Sequence, residues 1–327
     1  TTGGSTAVDT ALRTMQYLNN RRGMPQKKKI IAREKGYHGT GFGGISVGGL
    51  PLNKKHFSLL PSVDHICSTH NLEKNAFSKG QPEWGKELAD DLLRVIERHG
   101  ADKIAAFITE PLAGSTGVLV PPKGYLERVR EICTKNDILL IFDEVITGFG
   151  RLGAPFAAQY FNVEPDLITC AKGLTSGTIP MGAVLLKKEI YDAFQEGDVK
   201  AIDLFHGYTY SAHPLAAAAL IATLDVYTDD NLFERTNELA SYWEDALHSL
   251  KGTSHVIDIR NLGLVAGIEM SPREGSPGTR GYDVFTDGFH NHNLLLRITG
   301  DTLALSPPLI VEKDHIDQIV ETLKVII

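Results

Sequence analysis

Three apolar runs constrain this chain more than any other feature. Ile104 to Thr109, Ile138 to Phe142 and Leu167 to Cys170 are short, nearly continuous in apolar residues, and followed at once by polar or turn residues. Between them the apolar spacing changes to that of a helix. One such stretch runs from Trp84 to Ile96 and ends at His99-Gly100; another follows Pro122, carries Tyr125, Val129 and Ile132, and stops near Asn136. Strands with no polar face must be covered on both sides, and parallel neighbours need long crossovers, which helices supply. The pattern therefore predicts an α/β fold with a predominantly parallel sheet between helical layers.

The remaining elements extend this plan. Ser5 or Thr6 can cap a helix through Val8, Ala11, Leu12, Met15 and Leu18. After a turn at Asn19 to Gln26, strands are expected at Lys29 to Arg33 and Val63 to Cys67, and later at Ala183 to Leu186. From His213 an alanine-rich helix and then an amphipathic one reach about Leu250. Beyond it the order becomes strand, strand, helix, strand, strand, helix, with strands at Val256 to Ile259, Leu264 to Met270, Leu294 to Arg297 and Thr302 to Leu305, and a last helix from Lys313. A large α/β domain at 1–248 and a smaller α+β domain at 249–327 follow, and 327 residues suit about two domains. No internal repeat is present.

Charge and cysteine content narrow the function. With 33 basic and 40 acidic residues the net charge is −7, against the basic footprint of nucleic-acid binders. The basic cluster from Arg21 to Lys29 reads as a solvated connection between a helix and a strand. No apolar stretch is long enough to span a bilayer, and the first residues lack a signal-peptide pattern. Cys67, Cys133 and Cys170 cannot all pair with one another, which favours a reducing, cytoplasmic setting.

Several polar residues sit where ligand crevices form in open α/β sheets, at the carboxyl ends of strands. Glu110 and Asp143 each follow an apolar strand. Asp143 can cap the next turn or hold a cationic nitrogen. Lys172, between the strand at Cys170 and Gly173, is either a surface lysine or an amine aimed into the crevice, where it could form an imine with an aldehyde. Gly3-Gly4-Ser5 before the first helix can cap that helix or cradle a phosphate with backbone N–H groups and the helix-terminal field. Neither GxGxxG nor the lysine-containing phosphate-loop pattern is present. Tyr37 offers a flat aromatic wall or a core ring. His38 and His206 lack the partners of a zinc site, so no metal is expected.

Together these motifs resemble the class III, or omega-type, aminotransferases that use pyridoxal 5′-phosphate, over almost the whole chain. The anchors are Gly3-Gly4-Ser5, Tyr37-His38-Gly39, Thr109-Glu110-Pro111, Phe142-Asp143-Glu144-Val145 through Gly150-Arg151, Ala171-Lys172-Gly173 and Phe205 through Pro214. Arg297-Ile298-Thr299-Gly300-Asp301 and Ser306-Pro307-Pro308 resemble the branch that passes amino groups from omega-amino acids or amines to pyruvate. Members often carry serine-glycine-serine-glutamate at the first loop, where this chain has Gly3-Gly4-Ser5-Thr6. The change removes one hydroxyl contact and one acidic contact while preserving the backbone cradle.

The resemblance implies fold type I of the pyridoxal-phosphate enzymes. It implies that Lys172 bonds to the cofactor aldehyde and moves the substrate proton, while Asp143 bonds to the ring nitrogen. Tyr37 and Val145 would face the two sides of the ring, His38 and Glu110 would border it, and Gly4 and Ser5 would bind the phosphate. Thr209 would reach the phosphate of a second subunit in a homodimer, possible as a dimer of dimers. Arg297 would bind the carboxylate of the acceptor, although a surface ion pair is its alternative reading. A 2-oxoglutarate-dependent enzyme of the ornithine or 4-aminobutyrate type, or another fold-type-I enzyme, is the alternative function, since one fold supports several chemistries. Family members also carry about a hundred residues before the phosphate loop, so an N-terminal segment missing from this chain is expected.

Overall fold

The computed structural model describes residues 1–196 and 204–327. Six strands form one sheet in the order β2-β1-β3-β4-β5-β6: β1 (Lys29–Arg33), β2 (Val63–Ile66), β3 (Ile104–Thr109), β4 (Leu139–Asp143), β5 (Leu167–Cys170) and β6 (Ala183–Leu186). All neighbours are parallel except β5 and β6, which run antiparallel. The chain moves outward from β1 to β2 and then returns to place β3 on the other side of β1. The loops that leave β1 and β3 thus diverge and open a crevice at the carboxyl edge.

Alternate residues of each strand feed opposite layers. Ile30, Ala32, Ala106, Ile108 and Ile141 pack under the first helix, Gly4–Arg21, through Val8, Ala11, Leu12, Met15 and Leu18. Ile31, Phe107, Leu140 and Phe142 face the helices Asp91–His99 and Tyr125–Lys135 on the other side. Each fully buried aliphatic side chain here contributes about 1.5–3 kcal/mol.

Four further strands, β7 (Val256–Leu262), β8 (Val265–Met270), β9 (Arg297–Thr299) and β10 (Thr302–Leu305), make an antiparallel sheet in the order β7-β8-β10-β9. Its core includes Trp243 and Leu247 of the helix Leu232–His248 and Ile316, Val320 and Leu323 of the last helix, Lys313–Ile326.

Several local expectations change. The first helix starts at Gly4 with Gly3 as its cap residue and no side-chain cap. The Ser5 hydroxyl instead accepts the Thr40 N–H at 3.0 Å, and Thr6 donates to the Gly3 carbonyl at 2.9 Å. The stretch from Trp84 begins as a short 3-10 turn, Lys86–Asp90, before the α-helix. The strand expected from Leu294 starts only at Arg297. In the basic cluster, Lys27 is buried, with its ammonium 2.6 Å from the Asp137 carboxylate, rather than solvated.

Ile141 is fully buried at the centre of β4, two residues before Asp143. Ile141→Ala should lower the unfolding free energy measured in denaturant by about 2–5 kcal/mol, the cost of a large-to-small change in a close-packed core. A loss well under that range would show that the sheet core collapses easily around the gap.

Candidate active site

The crevice at the carboxyl edge of the six-stranded sheet holds a cavity of about 170 Å³. Gly4, Ser5, Tyr37, His38, Glu110, Asp143, Val145 and Lys172 all border it, so residues spread over 169 positions of sequence meet in one place. Strand pairing makes the meeting unavoidable. β3 pairs with β4 through Thr109 and Phe142, which sets Glu110 beside Asp143, and Asp143 pairs with Thr169 of β5, three residues before Lys172. The first helix points its amino end at the same edge.

Each polar group is held by a specific partner. Nδ1 of His38 lies 2.8 Å from Oδ2 of Asp143, both residues being buried. A carboxylate can only accept, so the imidazole donates from Nδ1. The other oxygen of Asp143 accepts the Val145 N–H at 3.2 Å. Nε2 of His38 is buried and has no hydrogen-bond partner among the described residues. The two carboxyl oxygens of Glu110 accept the N–H groups of Tyr37 at 2.9 Å and Gly114 at 3.2 Å, tying the β1 loop to the β3 loop. Burial pushes the Glu110 carboxyl up to about 7, Asp143 adding to the rise and His38 opposing it.

Lys172 opens a short 3-10 turn after β5 with a left-handed backbone, φ +47°. Its side chain is reachable from solvent through the open crevice, yet enough protein surrounds the ammonium that desolvation lowers its pKa from the ordinary lysine value. Asp143 and Glu110 oppose that shift and Arg297 reinforces it. Lys172 also borders a second, larger cavity of about 1040 Å³ together with Val145, Phe149, Tyr227 and Arg297. Arg297 makes one long contact there, donating from Nη2 to the Ser115 carbonyl at 3.3 Å, and is otherwise exposed. Thr209 is exposed and does not border either cavity.

The donor set fits pyridoxal 5′-phosphate. Ser5 Oγ already accepts the Thr40 N–H, so its proton remains available to an anion at the helix amino end. A methyl at Gly4 would approach Val145 to 3.0 Å, which keeps that wall of the cavity close-packed with no room for a side chain. Asp143 has the burial and charge type that would suit a cationic ring nitrogen, and Lys172 is an amine of lowered pKa that would suit an aldehyde.

Three contributors carried no signal of their own type. Asp9 accepts the N–H groups of Gly43 at 2.9 Å and Gly44 at 3.1 Å, holding the helix Phe42–Val47 over the first helix. Glu144, fully buried, accepts from Thr147 Oγ1 at 3.0 Å and from the N–H groups of Ala157 and Ala158, folding back the loop that follows Asp143. Ser115 offers only its carbonyl, so its side chain gave no clue. His70, Asp258 and Glu269 cluster closely enough to hold a metal ion. Arg260 already fills the role of cation, with Nη1 2.7 Å from Glu269 and close to Asp258.

A helix-flanked, mostly parallel sheet with this lysine, carboxylate and helix-end arrangement defines a pyridoxal-phosphate-dependent transferase of fold type I. The model of the family described as aminotransferase class-III matches residues 1–327, and the chain belongs to that family. It is 60% identical over 325 residues to an omega-aminotransferase of Caulobacter vibrioides, a match covering 99% of this chain and 74% of the relative. It is 46% identical to a beta-alanine–pyruvate aminotransferase of Pseudomonas aeruginosa, over 98% of this chain and 71% of the relative. The omega transaminase of Pseudomonas jessenii, solved in complex with PMP, superposes with a TM-score of 0.90 at 35% identity, covering 98% of this chain and 72% of that one. The protein is an aminotransferase that uses pyridoxal 5′-phosphate.

Burial also raises the Glu144 carboxyl to about 7. A carboxyl whose folded value lies above its unfolded 4.5 keeps a proton that the unfolded chain releases. The stability from Glu110 and Glu144 is therefore complete below about pH 4.5 and is lost as the pH rises through about 7. Glu144→Gln should flatten the fall in unfolding free energy between these pH values in urea titrations. An unchanged slope would mean that Glu144 is ionised across the whole range.

Proposed function

We propose that this aminotransferase moves the amino group of an omega-amino acid or primary amine to pyruvate, releasing an aldehyde or ketone and L-alanine. One observation carries the reading: Arg297 and Lys172 border the same cavity, so a carboxylate held by the guanidinium lies beside the amine. The relatives named for pyruvate support the choice of acceptor.

The assigned roles follow from the contacts. Asp143, oriented by His38, would hold the ring nitrogen of the cofactor as a cation; Gly4 and Ser5 would bind its phosphate, and Tyr37 and Val145 would enclose its ring. When bound, the cofactor withdraws electrons from the substrate carbon, the difficult part of the chemistry. Lys172 would take the proton from that carbon and hold it for return, a task helped by an amine whose pKa is lowered. Glu110 holds the backbone of Tyr37 and so fixes the ring wall. Among the described residues the Arg297 side chain has one long contact to release when a carboxylate arrives, and it can turn outward when a less polar amine enters.

In this reading Thr209 serves the phosphate site of a second subunit, and the protein works as a homodimer. Its exposure, and the exposed Leu215, Ile221 and Val226 on the helix Pro214–Asp229, support a partner on that side. We assign residues 1–248 to a cofactor-holding domain and 249–327 to a smaller one, with the helix Leu232–His248 packed on the smaller sheet. The free thiols Cys67, Cys133 and Cys170 support a reducing, cytoplasmic setting. Among the described residues no helix is long and apolar enough to cross a membrane.

A matrix of donors (beta-alanine, putrescine, 4-aminobutyrate and a hydrophobic primary amine) against pyruvate and 2-oxoglutarate, with both products quantified, tests the function. Alanine should form in step with the carbonyl product. A preference for 2-oxoglutarate would select the alternative acceptor instead. Arg297→Ala should raise KM for pyruvate about tenfold or more, the worth of a charge-assisted hydrogen bond, and leave the half-reaction of a carboxylate-free amine nearly unchanged. An unaltered pyruvate KM would remove Arg297 from the role. Light scattering should return a dimer mass, and a monomeric active enzyme would exclude Thr209 from the site.

A further inference from the structure

The turn that carries Lys172 is held from outside the site. Lys172 has a left-handed backbone, φ +47°, a conformation that costs a non-glycine residue energy and persists only where its neighbours enforce it. Within the turn, Leu174 N–H bonds to the Ala171 carbonyl at 3.0 Å and Gly177 N–H to that of Lys172 at 3.2 Å. The Gly173 carbonyl accepts the Ser176 N–H at 3.1 Å and also a second donor, from a residue 54 positions later in the chain. The phenol of Tyr227 donates to the Gly173 carbonyl at 2.7 Å.

Tyr227 is itself locked in place. Its ring stacks on Phe149 at 6.1 Å and 17° and on Phe233 at 5.4 Å and 29°. Phe149 belongs to the loop after Asp143 and meets Phe156 edge-on at 5.3 Å. The same Phe149 closes over Gly173, where an added Cβ would come within 2.9 Å of it. Gly150 has φ +97°, and a side chain there would strike Phe233. The four rings thus join the Asp143 loop, the Lys172 turn and the start of the helix Leu232–His248 in one ladder. Among the described residues the phenol of Tyr227 gives its hydrogen bond to the backbone next to the lysine.

We propose that Tyr227 is a positioning residue for Lys172, acting through the Gly173 carbonyl to keep the amine aimed at the cofactor aldehyde. The inference rests on the reading of Lys172 as the amine that bonds to the cofactor. Without the phenol the Gly173 carbonyl keeps only the Ser176 N–H, the turn relaxes, and the part of the ammonium that the protein still shields gains hydration. Desolvation is the main cause of the lowered Lys172 pKa, so hydration returns it toward the ordinary value. More of the amine is then protonated at a given pH, and bond formation with an aldehyde slows. Tyr227 touches no reacting atom in this scheme.

The test uses the full-length chain, freed of cofactor and mixed with pyridoxal 5′-phosphate, with the lysine adduct trapped by borohydride and quantified by peptide mass. Trapping at Lys172 is followed across pH for the wild type, Tyr227→Phe, Tyr227→Leu and Lys172→Ala, with melting temperatures alongside. Tyr227→Phe keeps the stacked ring and should melt close to the wild type. Its pH profile for trapping should move upward by about half to one unit, a three- to tenfold slower reaction at fixed pH. Tyr227→Leu should show the same displacement and also melt lower. A Tyr227→Phe profile that overlays the wild type overturns the proposal, as does slower trapping that leaves the pH midpoint unmoved. An undiminished adduct in Lys172→Ala overturns the underlying assignment of Lys172, and so separates that failure from the failure of Tyr227.

Discussion

Parallel pairing of β3, β4 and β5 is the constraint on which the site depends. Three neighbouring strands that run the same way must all end at one edge, so the residues that follow them gather there whatever their separation in sequence. Glu110, Asp143 and Lys172 are those residues. The amide of Glu144 continues the pairing by donating to the Thr169 carbonyl at 2.8 Å, which keeps Asp143 in register with the strand that leads to the lysine. Shifting one strand by one residue would turn its terminal side chain to the opposite face. The apolar layers on both faces oppose such a slip.

Buried polar and charged groups then carry this order into the loops. Glu110 joins the loops after β1 and β3, and Glu144 folds back the loop after β4. Arg151, with its pKa lowered to about 10 by burial, donates to the carbonyls of Leu264 at 2.9 Å and Pro307 at 2.6 Å and so links that loop to the second sheet. Arg260 reaches the other way, from β7 to the carbonyls of Gly117 at 2.9 Å and Val118 at 3.1 Å. The loop it grips contains Ser115, whose carbonyl receives both Arg297 and the Thr299 hydroxyl. Each of these groups is hydrogen-bonded to a side chain or to backbone dipoles, the condition under which burial is tolerated.

Much of this was legible beforehand where a local pattern has one physical outcome. Ile104 to Thr109 can only be a strand buried on both faces, and it begins and ends as expected. The first helix was equally plain from its apolar stripe, but its cap was not, because the Ser5 hydroxyl accepts the distant Thr40 N–H in place of an N–H of its own helix. The basic run at Arg21 to Lys29 reads as solvated from sequence because nothing nearby shows that Asp137, more than a hundred residues later, lies against Lys27. The helix Ala157–Tyr160 is only about one turn long, and Glu144 accepts the N–H groups of Ala157 and Ala158, a contact that no periodicity encodes.

The amino-acid sequence by itself determined the strand and helix order, the two-sided burial of the central sheet, and the chemical types at each strand end. Those follow from solvation and backbone geometry within a few residues. Only the tertiary structure decided which partner each polar group meets: His38 against Asp143, Tyr37 held by Glu110, Arg297 resting on Ser115, and Tyr227 on the carbonyl beside Lys172. These contacts join residues far apart in the chain, and their distances are set by the packing of whole layers. A hydrogen bond that depends on a few tenths of an ångström is therefore decided only when the layers close.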